Sequence, residues 1–320
     1  GVWLQVVALA MLLVDASMLT IAYVMAAQAL SGIAKDLNKM SAKSSVKLLV
    51  GNSEGRLYRW VAWLTGSKNA LKGLGFFAGG ASLSAFGFSA SIAGMALGLS
   101  VIAAATLVFL DREMGKASFK PKFSNLWSKS PPINMLSAAR LFLFGSRDVW
   151  FVVALPVFLQ LELGWSSISV GTFLAAWIIG YGLIQALAPN ITGISNDHPP
   201  DGRTALFWTL GLTAVPAMLA FAVNMQAAAS AALVIGLILF GLIFAMNSAV
   251  HSFLIVSYAD ADGISLDVGF YYMANAAGRL LGTICSGWVY QAYGISACLA
   301  VSSLFLIAAT AISAQLPKRE

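Results

Sequence analysis

Long apolar runs fill the chain, separated by short polar or glycine- and proline-rich breaks. Cutting at those breaks predicts ten helices, over 1–14, 18–43, 57–86, 89–110, 133–160, 166–188, 204–223, 228–257, 266–292 and 296–315. Most are near the roughly 20 residues that a helix needs to cross a bilayer. The first is not. Residues 2–14 would extend about 20 Å as a helix, and no basic segment or cleavage site precedes them to make a signal peptide. The expectation is that the chain begins inside a helix.

Composition sharpens the picture. Of 320 residues, 59% are hydrophobic and only 10% charged, and mean hydropathy is +0.82. Ordinary globular domains carry about 25% charged residues. A soluble core of this size cannot hide so much apolar surface, so the surrounding medium is lipid. Soluble enzymes and disordered regulators are excluded. Two cysteines, Cys285 and Cys298, exclude a disulfide scaffold. The expected fold class is an all-α polytopic membrane protein.

Charge placement predicts orientation. The breaks at 15–17, 87–88, 161–164, 224–226 and 293–295 contain no Lys or Arg. Lys43, Lys47, Arg56, the 111–132 stretch, Arg203, Lys318 and Arg319 fall on the other side, which the positive-inside rule makes cytoplasmic. The 257–267 break runs against this, with Asp260, Asp262 and Asp267, but acidic residues weigh little in that rule. The expected location is a cell inner (cytoplasmic) membrane, crossed many times.

The 111–132 stretch carries Arg112, Lys116, Lys120, Lys122 and Lys129 and ends at Pro131-Pro132. It divides the chain into a four-helix region (1–110), a basic cytoplasmic linker (111–132) and a six-helix region (133–320). A shift of 207 residues places Ala70, Lys72, Leu74, Gly75, Gly80, Ala85, Phe86 and Gly87 on Ala277, Arg279, Leu281, Gly282, Gly287, Ala292, Tyr293 and Gly294. The third helix thus matches the ninth, so six helices separate repeat units and two are expected before Gly1. A 6+6 parallel repeat around a basic linker resembles the major facilitator superfamily of secondary transporters, with about ten of its twelve transmembrane helices present.

Ionisable side chains inside a span are costly and point to function. Lys68 and Lys72 lie four apart near the middle of 57–86, on one helix face. Arg147 and Asp148 lie about 18 Å into 133–160, and Arg279 is comparably deep in 266–292, with Tyr272 and Asn275 on its face. Four deep cations face one carboxylate, which favours an anionic substrate as the missing partner. Two other readings stay open: Asp148 paired with Arg147 or Arg279 as a gate, and lysines snorkelling to the cytoplasmic face. The second helix ends in a ladder, Lys35, Lys39, Lys43 and Lys47, beside Asp36 and Asn38. Lys35 and Lys39 are candidates to attract anions, whereas Lys43 and Lys47 suit a headgroup anchor. Asp36, Asp148 and His251 are the titratable coupling or gating candidates, with Asn275 beside them.

Other polar positions are weaker. Tyr181 and Gln185 share a helix face, as do Asn247 and His251. Gly75-x-x-x-Gly79, Gly94-x-x-x-Gly98 and Gly278-x-x-x-Gly282 permit close helix contact, and Pro156 and Pro216 are expected to bend their helices. No phosphate-binding GxxxxGK[ST] loop occurs, and "GLGFFAGG" lacks dinucleotide-fingerprint spacing. Two distant histidines and two cysteines make no metal site. The net charge of +6 is absorbed by topology and cavity, so neither cofactor nor nucleic acid is expected.

Four runs carry a closer likeness: "SGIAKDLNKMSAKSSVKLLV" (31–50), "LYRWVAWLTGSKNALKG" (57–73), "INMLSAARLFLFGSRDVWFVVALPVFL" (133–159) and "SGWVYQAYG" (286–294). Together they resemble the organoarsenical efflux permeases of the major facilitator superfamily, the ArsJ type. The resemblance implies export of 1-arseno-3-phosphoglycerate, with glyceraldehyde-3-phosphate dehydrogenase as functional partner, in arsenate resistance. It assigns no substrate-binding positions. Lys35, Lys39, Lys68, Lys72, Arg147 and Arg279 therefore rest on charge and depth alone. The second-half loop Gly193-x-x-x-Asp197, followed by Gly202-Arg203, has the order of a superfamily gating loop with two extra residues. An organophosphate or phosphate exchanger, and a non-transporting membrane scaffold for the dehydrogenase, are the alternatives.

Overall fold

The computed structural model describes residues 1–50, 53–109, 130–192, 199–224, 229–259 and 264–318, and its regular elements are all helical. They are α1 (Val2–Ala10, followed by a 3-10 turn at Met11–Leu13), α2 (Ile21–Val50), α3 (Glu54–Phe109), α4 (Pro131–Phe151), α5 (Ala154–Leu161), α6 (Ser167–Ile191), α7 (Gly202–Asn224), α8 (Ala229–Tyr258) and α9 (Ile264–Ser313). Most of the 111–132 linker, Asp260, Asp262, the 193–198 loop and Arg319 lie outside the described residues.

Six helices among the described residues are long and apolar enough to cross a membrane. Two of them, α3 and α9, have 56 and 50 residues, more than twice the length of one crossing. Each is broken by a glycine: Gly87 at φ 76, ψ 178 in α3, and Gly294 at φ 77, ψ −174 in α9. This backbone region is essentially restricted to glycine. These are the residues that the 207-residue shift superposes, so the repeat extends to backbone geometry. Counting both halves of α3 and α9, the six helices hold eight apolar segments. The first two expected spans differ. Val2–Leu13 is a short apolar helix, and α2 is lengthened through Val50 but diluted by its lysine ladder, so neither meets the length and hydropathy of a crossing.

Local sequence explains several boundaries. Pro131 and Pro132 occupy the first turn of α4, where a missing N–H costs nothing. Pro156 breaks the α4–α5 line at Val152 and Val153, since its ring clashes with the carbonyl four residues earlier. Ala154 N–H then donates to Ser286 Oγ of α9 at 3.1 Å. Pro216, by contrast, sits within a continuous α7. Ser166 caps α6 by accepting from Ser169 N–H, and Asp201 Oδ1 accepts from Thr204 N–H at 3.0 Å at the start of α7.

The chain divides into two compact units, 1–49 with 74–120, and 50–73 with 121–320. In the first, Leu12, Ala27 and Ile92 form a small apolar core, and Gln5 Nε2 donates to Ser31 Oγ at 2.8 Å. Among the described residues nothing lies within 4 Å of a Cβ on the glycines of Gly75-x-x-x-Gly79 and Gly94-x-x-x-Gly98, so within the first unit neither makes the close contact its spacing allows. In the second unit, the start of α3 packs with the C-terminal helices. A Cβ on Gly66 would lie 2.3 Å from Ala186 N, and one on Gly182 would lie 2.3 Å from Ala70 N. Two small-xxx-small pairs, Gly66/Ala70 and Gly182/Ala186, therefore bring backbones together, and Tyr58 meets Phe253 edge-on at 5.3 Å. The core of this unit is an aromatic array including Phe144, Trp150, Trp177, Tyr181, Phe240 and Phe244.

The decisive pairing for the site is α4 with α9. A Cβ on Gly278 would lie 2.0 Å from Leu141 O, and one on Gly282 would lie 2.5 Å from Gly145 O. Gly278-x-x-x-Gly282 thus makes the close contact its spacing suggests.

These glycines separate two costs. Gly294→Ala keeps its space, since nothing lies within 4 Å, and is expected to lose about 1–3 kcal/mol from backbone strain alone. Gly278→Ala, which collides with backbone, is expected to be worse. Helical Gly287, also open, is expected to accept Ala without loss. Thermal unfolding of the detergent-solubilised protein measures all three; an undiminished midpoint for Gly294→Ala would contradict the assigned backbone.

Candidate functional site

Within the second unit, α4 presents Arg140, Phe144 and Arg147 at spacings of four and three, on one helical face. The close α4–α9 crossing brings Asn275 and Arg279 to the same face. Asp148, fully buried, accepts from Arg147 Nε at 2.7 Å on one carboxylate oxygen and from Arg279 Nε at 2.8 Å on the other. Arg147 Nη2 adds a contact at 2.5 Å. Asp148 thus ties α4 to α9 with two cations, which joins both halves of the expected gate pairing.

Arg140 is different. It is 4% exposed, and among the described residues no carboxylate pairs with it. Its Nε donates to Asn275 Oδ1 at 3.1 Å, its Nη1 donates to Ser248 Oγ at 3.2 Å, and its guanidinium lies 3.7 Å from the Phe144 ring centroid. A desolvated cation–π contact stabilises by about 2 kcal/mol, whereas burying an ion costs several kcal/mol. The ring and two neutral acceptors do not neutralise that charge.

Ser248 is the hub of a polar chain that reaches five helices. Besides Arg140, Gln185 Nε2 donates to its Oγ at 3.0 Å, and the Tyr181 hydroxyl lies 3.0 Å away. Asn69 Nδ2 of α3 donates to Gln185 Oε1 at 2.6 Å. A hydroxyl oxygen has two lone pairs. Ser248 Oγ accepts from Arg140, from Gln185 and from the Tyr181 hydroxyl, one donor more than its lone pairs. One turn along α8 lies fully buried His251, whose ring nitrogens have no hydrogen-bond partner among the described residues. Asn247 Nδ2 donates to Thr209 Oγ1 of α7 at 2.7 Å, a packing contact.

The sequence candidates are therefore sorted by the structure. Arg147, Asp148, Arg279 and Asn275 come together with Arg140. Lys68 and Lys72 are exposed on α3, flanking the Asn69 that joins the polar chain. Lys39 pairs with Asp36 at 2.6 Å, and both, with exposed Lys35, belong to the first unit. Sequence reasoning passed over Arg140 because it lies near the basic end of its span, where arginine commonly snorkels. The available signal was its i, i+4, i+7 register with Phe144 and Arg147.

No family model matches the chain, and no curated protein matches it. Solved structures do match. The human organic anion transporter MFSD10 (TETRAN) aligns with a TM-score of 0.74 at 15% identity, over 98% of this chain and 75% of that one. A bacterial homologue of the iron transporter ferroportin, in an outward-facing state, aligns with 0.77 at 14% identity, over 98% and 81%. The major facilitator superfamily transporter FucP, in the outward conformation, aligns with 0.71 at 10% identity, over 100% and 82%. At such identities the likeness establishes the fold: this is an all-α polytopic membrane protein of the major facilitator fold.

Two substitutions distinguish a site residue from a structural one. Arg140→Met removes a buried charge without a counter-charge and is expected to raise the thermal midpoint, a gain of about 1–4 kcal/mol. Asp148→Asn strands two guanidinium groups and is expected to cost about 3–5 kcal/mol. A drop for Arg140→Met as large as that for Asp148→Asn would make Arg140 a purely structural residue.

Proposed function

We propose that the chain is a secondary active transporter that exports an anionic small molecule by alternating access across the cytoplasmic membrane. The supporting observation is Arg140, buried among α4, α8 and α9 with neutral partners and no carboxylate beside it among the described residues. A buried cation in that state is stabilised by an anion that arrives and leaves, which is what a transport site requires. Arg147 and Arg279 enlarge the positive region. Lys68 and Lys72, exposed on α3, and Lys35 and Lys39 of the first unit add to the long-range field that draws anions in.

The particular substrate we propose is 1-arseno-3-phosphoglycerate, supplied by glyceraldehyde-3-phosphate dehydrogenase. The likeness of residues 31–50, 57–73, 133–159 and 286–294 to organoarsenical permeases supports this choice. So does the chemistry: pentavalent arsenic in an ester is an oxyanion, which takes cations and N–H donors rather than thiolates. Asp36, Asp148 and His251, with Asn275, are the proposed coupling or gating positions.

Everted vesicles carrying the full-length protein are expected to accumulate arsenic only when the dehydrogenase, its substrate and arsenate are all supplied. Arg140→Gln is expected to reduce that uptake about 10- to 100-fold, the value of one or two hydrogen bonds to a charged group. Uptake of 3-phosphoglycerate at full strength without arsenate would instead indicate an organophosphate exchanger.

A further inference from the structure

Three donors converge on the Ser248 oxygen, and they are not held alike. Gln185 Nε2 and the Tyr181 hydroxyl each donate at 3.0 Å, whereas Arg140 Nη1, at 3.2 Å, makes the longest of the three bonds. A hydroxyl oxygen accepts with two lone pairs, so the donors compete for it. Ser248, Gln185, Tyr181 and Arg140 are all buried, and burial raises the cost of the donor in excess.

The neighbours decide which donor gives way. Tyr181 is stacked on Trp177, with ring planes 7° apart. Gln185 is fixed at its other end, where its Oε1 accepts from Asn69 Nδ2 at 2.6 Å. Arg140 is held independently of Ser248. Its Nε donates to Asn275 Oδ1 at 3.1 Å, and its guanidinium lies 3.7 Å from the Phe144 ring centroid and 5.1 Å from that of Tyr271. Nη1 can therefore leave Ser248 while the guanidinium stays in place. Of the three donors it alone is charged, and a hydrogen bond from it to an anion is stronger than one to a neutral hydroxyl.

We infer that Ser248 is a positioning residue of the anion site: it holds Arg140 Nη1 until an anion takes that donor, and then keeps Tyr181 and Gln185 alone. The inference rests on the anion-transport reading and deepens it. Anion binding brings the donors at Ser248 from three to two, equal to its lone pairs. The arriving anion gains a charged N–H and removes a conflict in the same step. Ser248 then belongs wholly to α6, through Tyr181 and Gln185, and Gln185 carries the change to Asn69 of α3. Occupancy at Arg140 is in this way tied to the grip of α8 on α6 and α3, whose small residues already meet at Gly66 and Gly182.

Two conservative substitutions are expected to move anion binding in opposite directions. Thermal shifts of the purified full-length protein titrated with inorganic phosphate read the affinity. Ser248→Ala leaves Nη1 without that acceptor and is expected to bind phosphate about tenfold more tightly, the value of one hydrogen bond to a charged group. Tyr181→Phe leaves two donors for two lone pairs, secures Arg140 on Ser248, and is expected to weaken binding about three- to tenfold. Added to Ser248→Ala, the Tyr181→Phe change is expected to alter affinity by less than about twofold. A Tyr181 that touched the anion directly would instead weaken both proteins alike. Ser248→Ala and Tyr181→Phe that both weaken binding, or both leave it unchanged, would overturn the exchange at Ser248 and leave the anion site standing. A Tyr181→Phe loss that persists in the Ser248→Ala protein would do the same. No response to phosphate in the unmodified protein, or one undiminished by Arg140→Gln, would overturn the anion site and the exchange together.

Discussion

The close crossing of α4 and α9 is the constraint on which the site depends. Gly278 and Gly282 touch the α4 backbone at Leu141 and Gly145, where any Cβ would collide. That contact sets the register of the two helices, and register decides which polar groups meet. Arg279, next to Gly278, reaches Asp148, while Asn275, one turn earlier, reaches Arg140. Lipid offers no hydrophobic drive for one helix to prefer another, so close packing and polar pairing must supply the specificity. Here both operate at the same crossing.

The same economy joins α3 to the C-terminal helices. Gly66 and Ala70 meet Gly182 and Ala186 along a second small-residue contact. Beside it the Asn69–Gln185–Ser248 chain runs into the Arg140 site. A movement of α3 against α6 would therefore be felt at the buried arginine through three hydrogen bonds. The bonds at Ser248 are buried beside the aromatic array of Phe144, Tyr181 and Phe244, and burial strengthens each of them and raises the cost of any left unmade.

The balance of charge differs between the two parts of the site. At Asp148 one carboxylate accepts from two arginines, an arrangement that holds helices together. At Arg140 neutral acceptors and a ring face leave a whole positive charge in place. A structural role favours the first arrangement and a ligand role the second. Helix position along the chain does not say which way a side chain faces. Lys68 and Lys72 are deep in sequence terms but exposed, while Asn69 between them joins the buried chain.

The apolar runs and the scarcity of charge by themselves determined a polytopic helical membrane protein, and the 207-residue repeat paired its third predicted helix with its ninth. The repeat even marked Gly87 and Gly294, because a break that only glycine can adopt leaves a glycine in the sequence at both places. Pro156 likewise marked the break after α4, a local effect of a missing N–H. Which small-residue spacing makes a contact was decided by tertiary structure alone: among the described residues Gly278-x-x-x-Gly282 packs and Gly75-x-x-x-Gly79 does not, though the spacing is identical. The site was decided there too. Residues 140, 148, 185, 248 and 275 come from four helices, and only packing places an arginine beside a serine 108 positions away, leaving its charge without a carboxylate among the described residues.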